Sequence, residues 1–495
     1  MTWRLALVIV AALTIDAFAR PGDGGSYSGG GGHGGGGGGG GGGGSGGSGG
    51  DGAGFLELIY WLIRLCIAEP VIGLPVVGIV IGYFIFQAYR KQQNKDWDSG
   101  PPVELQHAID LEDVKVVDPE FSPVLFEDFA FRLFSTAQRT RHSGATLATV
   151  APYVTQTART ALQLRSPENT PVLSVVVGAM RVVELDLPNV LSDAAGRARI
   201  SVEFEANVTT ADHTYYSVEM WRFSRDAAAR TKPSTTRTFP CPNCGAPWQA
   251  AESGTQKCAS CGEIVDNGRF DWVVDLIGLR SIDERPPTML ADTVERGTEL
   301  PTYKQPRVDQ NMMALTQADP EVTLPSLILR LELIYDQLNR AWDANDLRPA
   351  RGLVSDGLYD YLSYWTSAYT QQGLRNALEK MRITHHSLTK VARDKYYDAV
   401  TFRIFATGLD YTVQTATDKV LKGSKREERA YSEYWTLIRS ATRKGSPTTQ
   451  PNCPNCGAPL QITRAGECEH CNAHVTAGEF DWVLSKIEQD DSYRG

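Results

Sequence analysis

Eight of the nine cysteines fall into four C-x-x-C pairs, and the pairs fall into two sets. The first set is Cys241, Cys244, Cys258 and Cys261; the second is Cys453, Cys456, Cys468 and Cys471. Two residues between cysteines let one tight turn present both sulfurs to the same ion, and two such turns complete a tetrahedron. A ligand set of thiolates alone favours zinc, with iron the usual competitor. All four positions are filled by protein, which predicts closed, structural sites and two zinc ions as the cofactors. Gly245, Gly262 and Gly457 follow second cysteines, where a positive φ is useful, and Asn472 tolerates the same conformation. A redox C-x-x-C would stand alone rather than paired with another. A secreted disulfide framework fits this spacing less well than metal knuckles in a reducing compartment. The ninth cysteine, Cys66, lies in an apolar stretch.

The elements around the cysteines repeat. Trp221-Arg222-Phe223-Ser224-Arg225 is answered by Trp435-Thr436-Leu437-Ile438-Arg439. A C-P-N-C-G-A-P run follows in each copy, at Cys241–Pro247 and Cys453–Pro459, and each closes on G-x-F-D-W-V, at 268–273 and 478–483. The same order at similar spacing indicates two copies of one unit. Each ribbon, 241–261 and 453–471, is placed between a strand ending near Arg225 or Arg439 and one starting near Phe270 or Phe480, at the tip of a hairpin. Between the copies, residues 279–324 hold Pro286, Pro287, Pro301, Pro306 and Pro320 and read as a linker.

Within each copy helices precede strands. Leu327, Ile328, Leu331, Ile334, Tyr335, Leu338 and Trp342 recur at three and four residues, the stripe of an amphipathic helix. A second helical pattern runs from about 355 to 381, and strand-like runs follow near 385–393, 398–406, 409–415 and 431–439. In the first copy Ile200, Val202, Phe204, Ala206 and Val208 alternate with polar residues, which predicts a sheet with one buried face. Helices followed by an antiparallel meander make an α+β fold.

The N-terminal part reads as a membrane address. Residues 1–19 carry one basic residue, an apolar run and an Ala17-Phe18-Ala19 ending, the pattern of a signal peptide or an uncleaved anchor. Residues 20–54 are a Gly/Ser tract expected to be a disordered tether. Residues 55–89 form a membrane segment, with one span at about 71–89, a stretch free of charge. Arg90, Lys91 and Lys95 follow the span, so the positive-inside rule puts the rest of the chain in the cytoplasm. Residues 90–120 are taken as a linker to the first domain.

The second copy resembles the bacterial members of the family named for subunit forty-four of the mitochondrial import translocase. The resemblance rests on Tyr397-Asp398-Ala399-Val400, Asp410-Tyr411-Thr412-Val413, Thr417-Asp418-Lys419-Val420 and Tyr434-Trp435-Thr436-Leu437. It covers 325–489 well and 121–278 more loosely. It implies two cones like nuclear transport factor two, helices on a curved sheet round an apolar pocket. It also implies residence at the bacterial inner membrane and contact with membrane lipid or protein partners, without catalysis. The mitochondrial subunit's long charged arm has no counterpart here, and the ribbons are additions to the basic domain.

Two other function classes bear on the same residues. Acids outnumber bases, 58 to 49, and Lys257 and Arg464 in the ribbons stand beside Glu252, Glu263, Glu467 and Glu469. A nucleic-acid partner is therefore not expected, although a zinc-ribbon nucleic-acid binder is one alternative. An enzyme using the cone pocket is the other. The sequence holds no local Ser/His/Asp motif or spaced carboxylate pair for it. His385-His386 reads as a solvated pair, and His470 and His474 only flank the last knuckle. Phe126, Phe129 and Phe134 read as core, whereas Tyr361, Tyr364, Trp365 and Tyr369 either pack a helix or line a pocket mouth.

Overall fold

The computed structural model describes residues 109–495 apart from 166–169, 189–195, 233–237, 250–255, 285–296, 449–451, 460, 464–465, 474 and 494, together with Ala68. The expected signal, tether and membrane span, with Cys66, lie outside the described residues. Among the described residues no helix is long and apolar enough to cross a membrane.

The fold is α+β, in two halves built in the same order. Helix α1 (Pro123–Thr140) starts because Ser122 Oγ accepts from Leu125 N and Pro123 sits at the first position, where its missing N–H costs nothing. Its stripe of Phe126, Ala130, Leu133, Phe134 and Ala137 is buried. Helix α2 (Gln156–Gln163) leads into strands β1 (Ser174–Asp186), β2 (Arg197–Thr209), β3 (Thr214–Asp226) and β4 (Val273–Glu284), an antiparallel meander of order β1-β2-β3-β4.

The second half begins with α3 (Val308–Ala318) and continues with α4 (Leu324–Asp343), opened by a capping box between Thr323 and Ser326. The predicted stripe of α4 is buried, save Ile328, which is partly so. Helix α5 (Asp356–Gln371) is followed by β5 (Leu374–Arg393), β6 (Tyr397–Gln414), β7 (Lys419–Gly423), β8 (Arg429–Ser440) and β9 (Val483–Gln489), in the order β5-β6-β8-β9 with β7 on β6.

Several boundaries differ from expectation. The helix read to 381 stops ten residues earlier, where Gly373 turns left-handed (φ 66°) and Leu374 opens a strand. The runs at 398–406 and 409–415 are one strand. Gly408 lets it continue past β5, because a Cβ there would lie 2.9 Å from Met381 Cα. Residues 279–324 are not a plain linker. Leu279–Glu284 belong to β4, and α3 packs on β5. The segment from Gly297 to Gln305 is held by buried Arg403, whose Nη1 donates to Leu300 O at 2.8 Å, and by Gln305 N donating to Thr389 O. The first domain likewise starts before 121, since Asp118 is buried against Arg225 at 2.8 Å, and the second extends past 489 to Asp490 and Tyr493.

The inward residues of β2 are buried as predicted, but its opposite face is covered as well, with Glu205 and Asn207 buried. The cover is the other half. Asn207 Nδ2 donates to Tyr364 OH on α5 at 3.1 Å, and Tyr216 and Val218 of β3 join the second half's hydrophobic cluster. Lys486–Glu127 and Lys395–Glu120 ion pairs, both 2.6 Å, cross the same boundary. The halves pack on one another through apolar and polar contacts alike.

Candidate metal centres

Each ribbon joins two paired neighbouring strands, β3 to β4 and β8 to β9, at the sheet end. The closing strands begin at Val273 and Val483, slightly later than expected, because Gly268 and Gly478 first turn left-handed (φ 74° and 75°) and their carbonyls accept from Asp226 N and Ser440 N. At Gly268 a Cβ would meet the Ser224 carbonyl oxygen at 3.0 Å.

Under each ribbon lies the same charged stack. The guanidinium of Arg225 covers the Trp272 ring at 4.5 Å and pairs with Asp118; that of Arg439 covers Trp482 at 4.9 Å and pairs with Asp319 at 2.9 Å. Asp271 and Asp481 accept from the N–H of the following tryptophan, at 2.8 and 2.7 Å. Trp221 of β3 and Trp435 of β8 donate Nε1–H to buried Glu219 and Glu433, both at 2.9 Å. The repeated Trp…Arg and F-D-W runs are thus the footing of the ribbons. In the sequence these runs mark the repeat and the strands that flank each ribbon; the arginine at the same place in both copies, Arg225 and Arg439, is the one sign there of the stack.

The knuckles take the form their spacing demands. Gly245 N donates to Cys241 O and Cys241 N to Ala246 O; Gly457 and Cys453 do the same with Cys453 and Ala458. Gly245, Gly262, Gly457 and Asn472 have φ of 72°, 75°, 73° and 57°, the left-handed turn expected of them. The four sulfurs of each set lie within 4.8 Å of one another. Cys241 and Cys261 stand at 3.8 Å, Cys244 and Cys258 at 4.0 Å, Cys453 and Cys471 at 3.9 Å, and Cys456 and Cys468 at 4.0 Å. A tetrahedron with Zn–S bonds of about 2.3 Å has edges of about 3.8 Å. Disulfide sulfurs would stand at about 2.05 Å. Each set can therefore hold a metal ion, in a geometry that fits zinc.

Cys241, Cys258, Cys453 and Cys468 are buried, Cys261 and Cys471 half-buried, and Cys244 and Cys456 exposed. Burial pushes the thiols of Cys241 and Cys453 up to about 12. The Asn243 side chain and the Glu263 N–H draw Cys261 down to about 7; the Ala473 N–H and Asn455 do so for Cys471. A cation at the centre is what would let all four sulfurs ionise together. Neither asparagine was singled out by the sequence reading.

Residues 308–450 match the family model of the Tim44-like domain. The Tim44-like match begins at the first residue of α3 and ends just short of Cys453, so it covers the second half from α3 to β8 and leaves out the ribbon and β9. It takes in the strands on which the sequence resemblance rested. A comparison with curated proteins found no match.

Within that domain Trp365 and Tyr369 are each 2 % exposed and belong to the core, while Tyr361 and Tyr364 are partly buried against it. Burial pushes the Tyr364 phenol up to about 12. Of the two readings, packing fits Trp365 and Tyr369, and Tyr364 OH accepts from Asn207 of the first half. Phe126 and Phe134 are core, and Phe129 packs partly buried against it. His385 and His386 stack on the surface of β5 at 6.1 Å, His470 is exposed, and His474 lies outside the described residues.

Proposed function

We propose that the chain is a non-catalytic scaffold of the bacterial inner membrane, anchored by its N-terminal span, with two Tim44-like domains in the cytoplasm. Each domain is a cone like nuclear transport factor two, and each carries one structural zinc ion on four cysteines, Cys241, Cys244, Cys258 and Cys261 in the first and Cys453, Cys456, Cys468 and Cys471 in the second. The observation that carries the reading is the Tim44-like match over residues 308–450, a domain type associated in general with membrane scaffolds rather than catalysis. The charge-free stretch at 71–89 and the basic residues after it supply the anchor and its orientation.

One feature of the second half supports lipid contact. Strand β7 and the turn after it form a finger bearing exposed Lys419, Lys425 and Arg426, half-buried Lys422, and Leu421 at 39 % exposure. Cations interleaved with an exposed apolar side chain suit a headgroup region, where each is worth about 1 kcal/mol against an anionic surface. The first half has only the tight turn Thr210–His213 at this place.

The test takes the fragment 109–495, with both halves because they share a core, and measures co-sedimentation with vesicles. The reading expects binding that strengthens with anionic lipid and weakens when Lys419, Lys422 and Lys425 become Gln. A fragment that sediments with no vesicle, and captures no neighbour by crosslinking at native expression, refutes the scaffold role. Orientation is checked separately: a cytoplasm-dependent reporter is expected to work after Gly495 and to fail near Ser48.

A further inference from the structure

In each ribbon, among the described residues, an asparagine side chain reaches a cysteine sulfur. Asn243 Nδ2 donates to Cys261 Sγ at 3.5 Å, and Asn455 Nδ2 donates to Cys471 Sγ at 3.4 Å. The bond crosses from one knuckle to the other. Each asparagine stands between the first two cysteines, and its acceptor is the last of the four. The matching positions of the second knuckles, Ser260 and His470, offer no amide for a reciprocal bond. The acceptor is also the half-buried sulfur, whereas the first and third cysteines are buried under Val265 or Val475.

We propose that Asn243 and Asn455 are positioning residues that act through Cys261 and Cys471, latching the two knuckles of each ribbon together and slowing loss of the metal. The inference rests on the metal reading of the ribbons. A donor on a thiolate carries part of the negative charge that the metal would otherwise neutralise alone, and such charge-assisted bonds are the stronger kind. It also engages a lone pair of the sulfur, which disfavours protonation of the thiolate, a first event in breaking a metal–sulfur bond. Loss of an outer partner of a metal ligand weakens a site by about tenfold to a hundredfold. The same bond in two ribbons whose intervening loops differ in length sets it apart from a chance contact.

The full chain is loaded with zinc, then mixed with excess chromophoric chelator, and release is followed in time. Wild type is expected to give up two ions slowly. Asn243→Asp keeps the shape and removes the donor, and Asn243→Leu removes it without adding charge. In either variant one ion is expected to leave at least about tenfold faster, while the other, in the untouched ribbon, keeps its rate and reports that the chain is folded. Asn455→Leu should give the mirror result. With cobalt in place of zinc, the sulfur-to-metal charge-transfer band of the altered site should move to longer wavelength, since an unbonded thiolate gives up its electrons more easily. Two ions leaving each variant at the wild-type rate, with an unmoved cobalt band, overturns the latch and leaves the metal reading standing. Wild-type chain that holds no metal overturns both.

Discussion

The two halves fasten their ribbons to the adjoining helix with the same kind of tie made from different positions. In the first, Arg159 on α2 reaches back to the carbonyls of Ala151 and Val154 and forward to Asp266 of the ribbon, 3.7 Å away. In the second, the arginine comes from the other side. Arg351 stands where Ala151 does, pairs with Asp356 and lies 4.5 Å over the Tyr359 ring, and Thr476 of the ribbon donates to the same Asp356 at 2.8 Å. Tyr359 occupies the place of Arg159. What is kept is an arginine–aspartate pair where the helix meets the chain returning from the ribbon, and which residue supplies the guanidinium is free to change. The α1 and α4 helices show the opposite case. Phe129 sits in an aromatic cluster with Tyr153, Phe223 and Phe239, and at the equivalent place Arg330 donates to Trp482 O at 2.9 and 2.7 Å and to Thr448. There one half relies on rings and the other on a buried charge.

The largest expected effect tests that contrast. Arg330→Ala leaves Asp481, 3.4 Å from the guanidinium, buried without its cation, and should cost about 3–5 kcal/mol in denaturant unfolding. Phe129→Ala, at a half-buried ring, should cost less than the roughly 3 kcal/mol at which full Phe truncations begin. The reverse order would mean that the buried charge is incidental to the second half. A smaller difference lies deeper in the sheet. Tyr335 OH and Tyr431 OH meet at 2.8 Å, where the first half has Phe134 and Ser217. Tyr335→Phe should lower stability by about 1 kcal/mol, and an unchanged midpoint would remove that bond from the account. The smallest effect is the acid response of the first half. Burial of Asp118 favours its neutral form, but hydrogen bonds from Thr231 and the charge of Arg225 outweigh it and hold the carboxyl below its ordinary 3.8. The carboxylate's contribution is therefore present above about pH 4 and is lost as pH falls through its lower folded value. Asp118→Asn should flatten the acid limb of a stability-versus-pH curve, and an equally steep limb in the variant would assign the acid loss elsewhere.

Legibility in the sequence followed the range of the interactions. The cysteine sets, their turn glycines, Asn472 and the hairpin position of the ribbons were all readable, because each depends on a few neighbours. The stripe of α4 was readable for the same reason. The end of α5 was not, since Leu374, Ala377, Leu378 and Met381 continue past Gly373 at the three- and four-residue spacing of a helix. Proline-rich 297–306 looked like a linker because nothing local reveals that Arg403, a hundred residues later, binds its carbonyls. The covered outer face of β2 was hidden similarly: Glu205 and Asn207 are polar, and their burial comes from Tyr364 and the neighbouring half. The swapped Arg159 and Arg351 are hidden because each stands opposite a residue of unrelated type in the other copy, Tyr359 and Ala151.

Metal content of the full chain, purified without chelators, bears most directly on the central claim that the repeated cysteines build two independent structural sites. About two zinc ions per chain are expected, falling by one in Cys456→Ser, with the far-ultraviolet spectrum largely kept and the other ribbon still loaded. Protein that carries no zinc, or whose cysteines are found joined as disulfides, would contradict it.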